Sequence, residues 1–184
     1  MYILTNIFES LKDFLKPLVG NNNKKPLHTG EVTNHWLLLT LLEEGVSLYE
    51  IGMNTTNNKE LLDALGDGLA LSKKTSNNLS AFLKEEGIPL PATSPEKPKS
   101  DSHSIPLGVK YSDDELANLI SAKIAAQITL IGQSLAMSIR NDSAQLMIGV
   151  LIELLKYSTS FKTLMESHGW LKIPPYYYPP GTPN

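Results

Sequence analysis

Residues 84–115 read KEEGIPLPATSPEKPKSDSHSIPLGVKYSDDE, and the way this stretch divides decides the fold. Lys84-Glu85-Glu86 closes one helical pattern, and Ser112-Asp113-Asp114-Glu115 opens another. The second is a capping box, in which a Ser side chain meets the backbone N–H three residues on and the Glu there reaches back. Gly87 suits the position just past a helix end, and Pro89 and Pro91 forbid continuation. Residues 88–111 then hold five prolines among scattered Ser, Lys and Asp. Loops longer than about 12–15 residues are uncommon unless they cross a domain or carry function. Short loops join antiparallel neighbours, so a connector of this length predicts a crossover along a helical bundle.

Working outward, the helix before the crossover runs from about residue 58 to 86, with Leu61, Leu62, Leu65, Leu69, Ser72, Ser76, Leu79 and Leu83 at helical steps. Gly66 and Gly68 each cost roughly 1 kcal/mol in a helix interior, which predicts close packing or a bend. An earlier helix starts near Thr29, a candidate cap, has Glu31 in its first turn, and ends around residues 52–56. Its stripe is Val32, Trp36, Leu39 and Val46, widened by Leu38, Leu41, Leu42, Leu48 and Ile51. After the crossover, Ala117, Ile120, Ile124, Ile128, Ile131 and Leu135 form one face, and Leu116, Leu119, Ala126, Leu130 and Met137 a second. Arg140-Asn141-Asp142 breaks the run. The last helix runs from about residue 143 to 167, with Asp142 as candidate cap, and its first half is apolar nearly all round. No strand pattern survives. The fold class is therefore all-α: four long helices in two hairpins joined by one crossover, the ferritin-like pattern. The surplus apolar surface predicts a further partner: an N-terminal helix, the tail or another subunit.

Both ends carry extensions. Residues 1–26 comprise a short amphipathic helix, with Leu4, Ile7, Phe8, Leu11, Phe14, Leu15 and Leu18 on one face, and an Asn-rich linker. Residues 27–184 are the bundle, with crossover 88–111 and tail 170–184. Prolines make the tail extended, so Tyr176, Tyr177 and Tyr178 either lie along the bundle or bind a partner.

Composition narrows the function classes. A chain of 184 residues suits one domain with extensions. The absence of cysteine removes disulfide scaffolds, thiol nucleophiles and Cys-ligated metal. A net charge of −3, with lysines interleaved among acids, gives no nucleic-acid footprint. The first 19 residues carry Glu9, Lys12, Asp13 and Lys16, unlike a signal peptide, so cytoplasmic synthesis without membrane insertion is expected.

A ferritin-like di-metal centre needs an inward Glu from each of two helices and Glu-x-x-His from the other two. The chain has no Glu-x-x-His. Nucleophile elbows and phosphate loops are also missing. The expectation is no enzyme, no cofactor and no metal. A second reading keeps a degenerate ligand or metal site built from His35, Glu43, Glu50, Asp63 and Glu153. His35 alone reads as a satisfied interior histidine, turned toward Glu153 or Tyr157.

Three stretches carry a resemblance: Leu27 to Trp36, Lys84-Glu85-Glu86-Gly87-Ile88-Pro89-Leu90-Pro91, and Gly169-Trp170-Leu171-Lys172-Ile173-Pro174-Pro175-Tyr176. Together they resemble an uncharacterised ferritin-like family of spore-forming Gram-positive bacteria, similar to spore coat protein F. The resemblance spans about Leu27 to Pro180. It implies a non-enzymatic, spore coat-associated structural or interaction protein. Its partners would be other coat proteins or a second copy, met through Tyr176, Tyr177 and Tyr178 and the surplus apolar faces.

Overall fold

A computed structural model describes residues 25–181, so the expected helix over residues 1–19 lies outside the described residues. Four helices form the bundle: α1 (Thr29–Thr55), α2 (Lys59–Glu85), α3 (Asp113–Met137) and α4 (Asn141–Ser167). Among the described residues there is no strand. The crossover carries a single 3-10 turn, Ser102–Ser104.

The caps show why the helices begin where they do. Ser112 and Glu115 make the expected capping box on α3. Asn58 caps α2, its side chain accepting from the Leu61 N–H at 3.0 Å. Two expected caps are corrected. His28, not Thr29, caps α1, with Glu31 completing a second capping box. Arg140, not Asp142, holds the N-cap position of α4, without a side-chain cap. Asp142 is instead drawn to the Arg140 guanidinium at that end of the bundle.

Tertiary contacts fix the topology. Thr56, at the end of α1, donates to Asp113, at the start of α3, at 2.6 Å. His28, at the start of α1, bonds the Met137 carbonyl, at the end of α3, at 2.9 Å. These two helices are therefore antiparallel neighbours. Since α1 and α2, and α3 and α4, are joined by short turns, the order is up, down, down, up. The crossover returns the chain along the α1–α2 side. There the Trp36 indole donates to the Pro89 carbonyl at 3.1 Å. Further along, Asn54 donates to the Pro98 carbonyl at 2.9 Å, and Ser102 donates to Asn57 at 2.5 Å.

The core falls into two clusters. One joins Leu38, Leu42, Leu79, Leu83, Ile131 and Met147. The other joins Tyr49, Leu61, Leu65, Leu116, Ile120 and Phe161. A polar layer with Gly45, Ser72 and Gln127 sits at the middle of the bundle, where a Cβ on Gly45 would lie 3.7 Å from the Ser72 hydroxyl and 3.9 Å from the Gln127 amide.

Gly68 meets the expectation of close packing, and Gly66 does not. A Cβ at position 68 would collide with the Tyr157 hydroxyl and lie 2.5 Å from the Tyr49 ring, while position 66 faces open space. The absent side chain lets both phenols sit against α2, with Tyr157 donating to the Ala64 carbonyl at 3.0 Å. Gly68→Ala is expected to displace that hydroxyl and lower stability by about 1–2 kcal/mol, despite the better helix propensity of Ala. Gly66→Ala should instead raise stability by up to about 1 kcal/mol. Paired urea titrations of the two variants check the contrast.

Candidate functional site

The most elaborate side-chain arrangement lies at the end of the bundle where α1 and α4 begin and α2 and α3 finish. Its centre is Arg140, the one arginine in the sequence. Its guanidinium donates to both Glu86 oxygens at 2.6 and 2.7 Å. It also donates to both Asp142 oxygens at 2.9 and 2.6 Å, and to the Lys25 carbonyl at 3.1 Å. All five of its N–H donors are thereby used, the geometry in which a planar fork exceeds a lysine. The Arg140 side chain keeps 8% of its surface exposed and lies 5.7 Å above the Phe82 ring. Four segments, the chain entering α1, the end of α2, the α3–α4 turn and the first turn of α4, are tied through this one side chain.

Glu31 works beside it. Its carboxylate, 1% exposed, accepts from the backbone N–H groups of Ile139 and Arg140 at 2.9 Å each and of His28 at 3.3 Å. Burial acts to raise its pKa, and the three backbone donors with the nearby His28 outweigh burial, leaving it below the ordinary carboxylate range. It is thus a buried carboxylate satisfied by the turn before α4, where the helix dipole also favours negative charge.

His35 is fully buried one turn along α1. Its Nδ1 lies 2.6 Å from the Glu31 carbonyl oxygen, which can only accept, so Nδ1 carries the proton. Nε2 then accepts from the Ser143 hydroxyl at 3.2 Å. The ring stacks on Phe82 at 5.3 Å. This corrects the expectation that His35 turns toward Glu153 or Tyr157. The Ser143–His35 pair is sealed, with both side chains 0% exposed, so it holds α4 to α1 and offers no surface to a substrate.

Burial, the largest influence, holds the His35 pKa below its ordinary value, with Arg140 pressing the same way and Glu31 and Asp142 opposing. The unfolded chain therefore binds a proton that the folded chain refuses as pH falls below about 6.5. Stability is unaffected by His35 above that pH and declines as pH drops toward the lower folded-state value. Urea midpoints measured at pH 7.5 and 5.5 should show this decline, and His35→Gln should flatten it.

The other residues singled out in the sequence do not meet. Glu50 pairs with Lys73 at 3.4 Å and accepts from the Lys97 N–H, on the crossover side of the bundle. Asp63 is exposed on α2, and Glu43 is half-buried on α1. Glu153 pairs with Lys156 at 3.2 Å on α4. His35 lies at the Arg140 end, so the five-residue degenerate site is not assembled. Among the described residues no group of three or more His, Asp or Glu could hold a metal ion.

The tail begins against the bundle. Its first residues are anchored: the Trp170 ring stacks on His168 at 4.3 Å, and the Trp170 carbonyl accepts from Asn118 at 2.9 Å. Lys172 pairs with Asp114 at 2.7 Å. Tyr176, Tyr177 and Tyr178 beyond them keep 75%, 82% and 59% of their surface exposed.

Sequence reading missed Arg140 and Glu31 as organising residues. A signal existed for the first, because a single arginine among fifteen lysines marks a position where a fork is needed. For Glu31 the only sequence signal was a first-turn carboxylate, which is ordinarily a surface feature.

Residues 17–182 match a family described as a protein of unknown function, DUF3231. The chain belongs to DUF3231. The uncharacterised protein YvdQ of Bacillus subtilis (strain 168) is 28% identical over 158 residues, covering 86% of this chain and 93% of YvdQ. The crystal structure of a putative spore coat protein from Bacillus halodurans C-125 is 25% identical, with a TM-score of 0.82, covering 86% of this chain and 99% of that one. A DUF305 fragment from Deinococcus radiodurans shares the fold alone, at 11% identity and a TM-score of 0.63 over 78% of this chain and 99% of that one. The all-helical bundle expected from the sequence is thus met in solved relatives, and a DUF3231 chain of this architecture has a neighbour named for the spore coat.

Proposed function

We propose that this DUF3231 chain is a non-enzymatic structural and interaction protein of the bacterial spore coat, made in the cytoplasm and assembled there. The observation that carries this reading is the likeness to the Bacillus halodurans protein, which runs over almost the whole of that chain. The order of the helices, with one long crossover, supports the narrower reading as a ferritin-like bundle. Such a protein works through its surfaces. Tyr176, Tyr177 and Tyr178 offer aromatic area on an extended tail, a form suited to docking against other coat proteins. The side-chain network around Arg140 serves this role by holding the bundle ends rigid.

A fluorescent fusion followed through sporulation in the native host tests the reading. A ring around the forespore is the expected result. Diffuse signal confined to vegetative cells would overturn it.

A further inference from the structure

α1 and α3 lie side by side and antiparallel, and their outward edges form one apolar face. On α1, Leu37, Leu41, Glu44, Leu48 and Ile51 follow one another at steps of four and three. On α3, Leu119, Lys123, Ala126 and Leu130 do the same. That spacing keeps a stripe in line along a helix, as in the seam of a coiled coil. The two stripes are in register. Asn34 reaches the Met137 sulfur at 3.6 Å, Gln127 donates to the Leu41 carbonyl at 3.4 Å, and a Cβ at Gly52 would lie 3.0 Å from Leu116.

Both stripes are partly open to water. Leu37, Ile51, Leu119 and Met137 keep 42%, 37%, 41% and 42% of their surface exposed, and Leu41, Leu48 and Leu130 are half-buried. α3 is apolar enough, by length and composition alone, to cross a membrane, yet 28% of its apolar window is buried. The face carries two charges, and they sit at its middle: Lys123 and Glu44, 3.5 Å apart.

This charge placement selects an occupant. A two-fold axis running parallel to the helices lays α1 of one copy over α3 of the other and keeps each residue at its own height. Glu44 then faces Lys123 of the partner subunit, and leucines face leucines. A two-fold perpendicular to the helices lays α1 on α1 and sets Glu44 against Glu44, which is repulsive. The face is self-complementary in one arrangement and not in the other. Its size also fits. Helices of this length span about 40 Å, and two side by side offer roughly 800 Å² per partner, the standard for a stable pair.

We propose that the α1–α3 face is the interface between two copies of this chain, with α1 of each packed on α3 of the other. The proposal is independent of where the protein resides in the cell.

The test uses the full chain, whose lack of cysteine makes introduced thiols unique. Light scattering should give twice the 20.2 kDa chain mass at micromolar concentration. The double variant Leu37→Glu/Leu119→Glu should return it to single-chain mass, weakening association by about 100-fold or more with helical content unchanged. Leu37→Cys and Leu130→Cys proteins, oxidised as a mixture, should form a covalent dimer far faster than either alone. Single-chain mass for the unaltered protein would overturn the proposal. So would equally fast cross-linking of either cysteine variant alone, which would place like on like. Dimerisation that appears only after residues 1–24 are removed would assign the face to the chain's own N-terminal segment, and would overturn it as well.

Discussion

Replacing Arg140 by Ala is expected to lower the unfolding free energy by about 3–5 kcal/mol, because it removes the buried cation that Glu86 and Asp142 share. Glu86 is the group most affected, since its side chain keeps 14% of its surface exposed and receives both forks of the guanidinium. Asp142, at 40%, can turn to water. Arg140→Lys should recover little of the loss, because an ammonium cannot make two parallel bonds to Glu86 while also reaching Asp142 and Lys25. The double variant Arg140→Met/Glu86→Leu should be more stable than Arg140→Ala, since it removes the largely buried carboxylate together with its cation. Urea denaturation of all these proteins, with the single variants Arg140→Met and Glu86→Leu added to close a double-mutant cycle, measures the coupling. If Arg140→Ala and Arg140→Lys both unfold within about 0.5 kcal/mol of the parent, the ion pairs are a surface ornament and the tie between the four segments is wrong.

Glu31→Ala should be of similar size, about 3–4 kcal/mol, by a different route. It leaves the N–H groups of His28, Ile139 and Arg140 without their acceptor in a site closed to water, and each such group costs roughly 1–3 kcal/mol. Glu31→Gln keeps one acceptor oxygen and introduces donors where donors already point, so it should lose nearly as much. The pH dependence separates this residue from its neighbours. Because the folded-state pKa of Glu31 is lowered, its contribution is fully present above the unfolded value of about 4.5 and fades as pH falls through the lower folded value. Acid unfolding should therefore be steeper in the parent than in Glu31→Gln below pH 4.5. The His35 decline begins at a higher pH, below about 6.5, so His35→Gln and Glu31→Gln remove different parts of the profile. A parent and a Glu31→Gln protein with parallel acid profiles would show that the carboxylate is not ionised in place.

The two substitutions share one network and will not add. Arg140 contributes its backbone N–H to Glu31 and its side chain to Glu86, so removing Glu31 loosens the turn that aims the guanidinium. A combined loss smaller than the sum is expected.

How much of this was legible beforehand follows from the range of the interactions. The helices were legible because their causes are local. Capping at Ser112 spans three residues, the stop at Gly87 and Pro89 spans two, and the apolar stripes repeat every turn. The crossover was legible because a proline-rich stretch of that length has few ways to behave. The cap of α1 was misplaced by one residue because a histidine seldom caps, and His28 does so only while its other nitrogen is held by Met137. For the tail, size and proline content left two readings open, and Lys172 pairs with Asp114 just before the tyrosines begin.

By itself, then, the sequence determined an all-helical chain, its four spans, its single crossover and an excess of apolar surface, since all of these depend on composition and on neighbours within a turn or two. Only the tertiary structure decided which polar residues meet. Glu31 and Arg140 lie 109 positions apart, and Arg140 and Glu86 lie 54 apart. Periodicity says which face a residue occupies, and not at what height along the bundle it meets another helix. That height is set by how the core clusters interlock. It brought Arg140 to Glu86, kept Glu43, Glu50, Asp63 and Glu153 apart, and left Leu37, Leu119 and their neighbours in one exposed line.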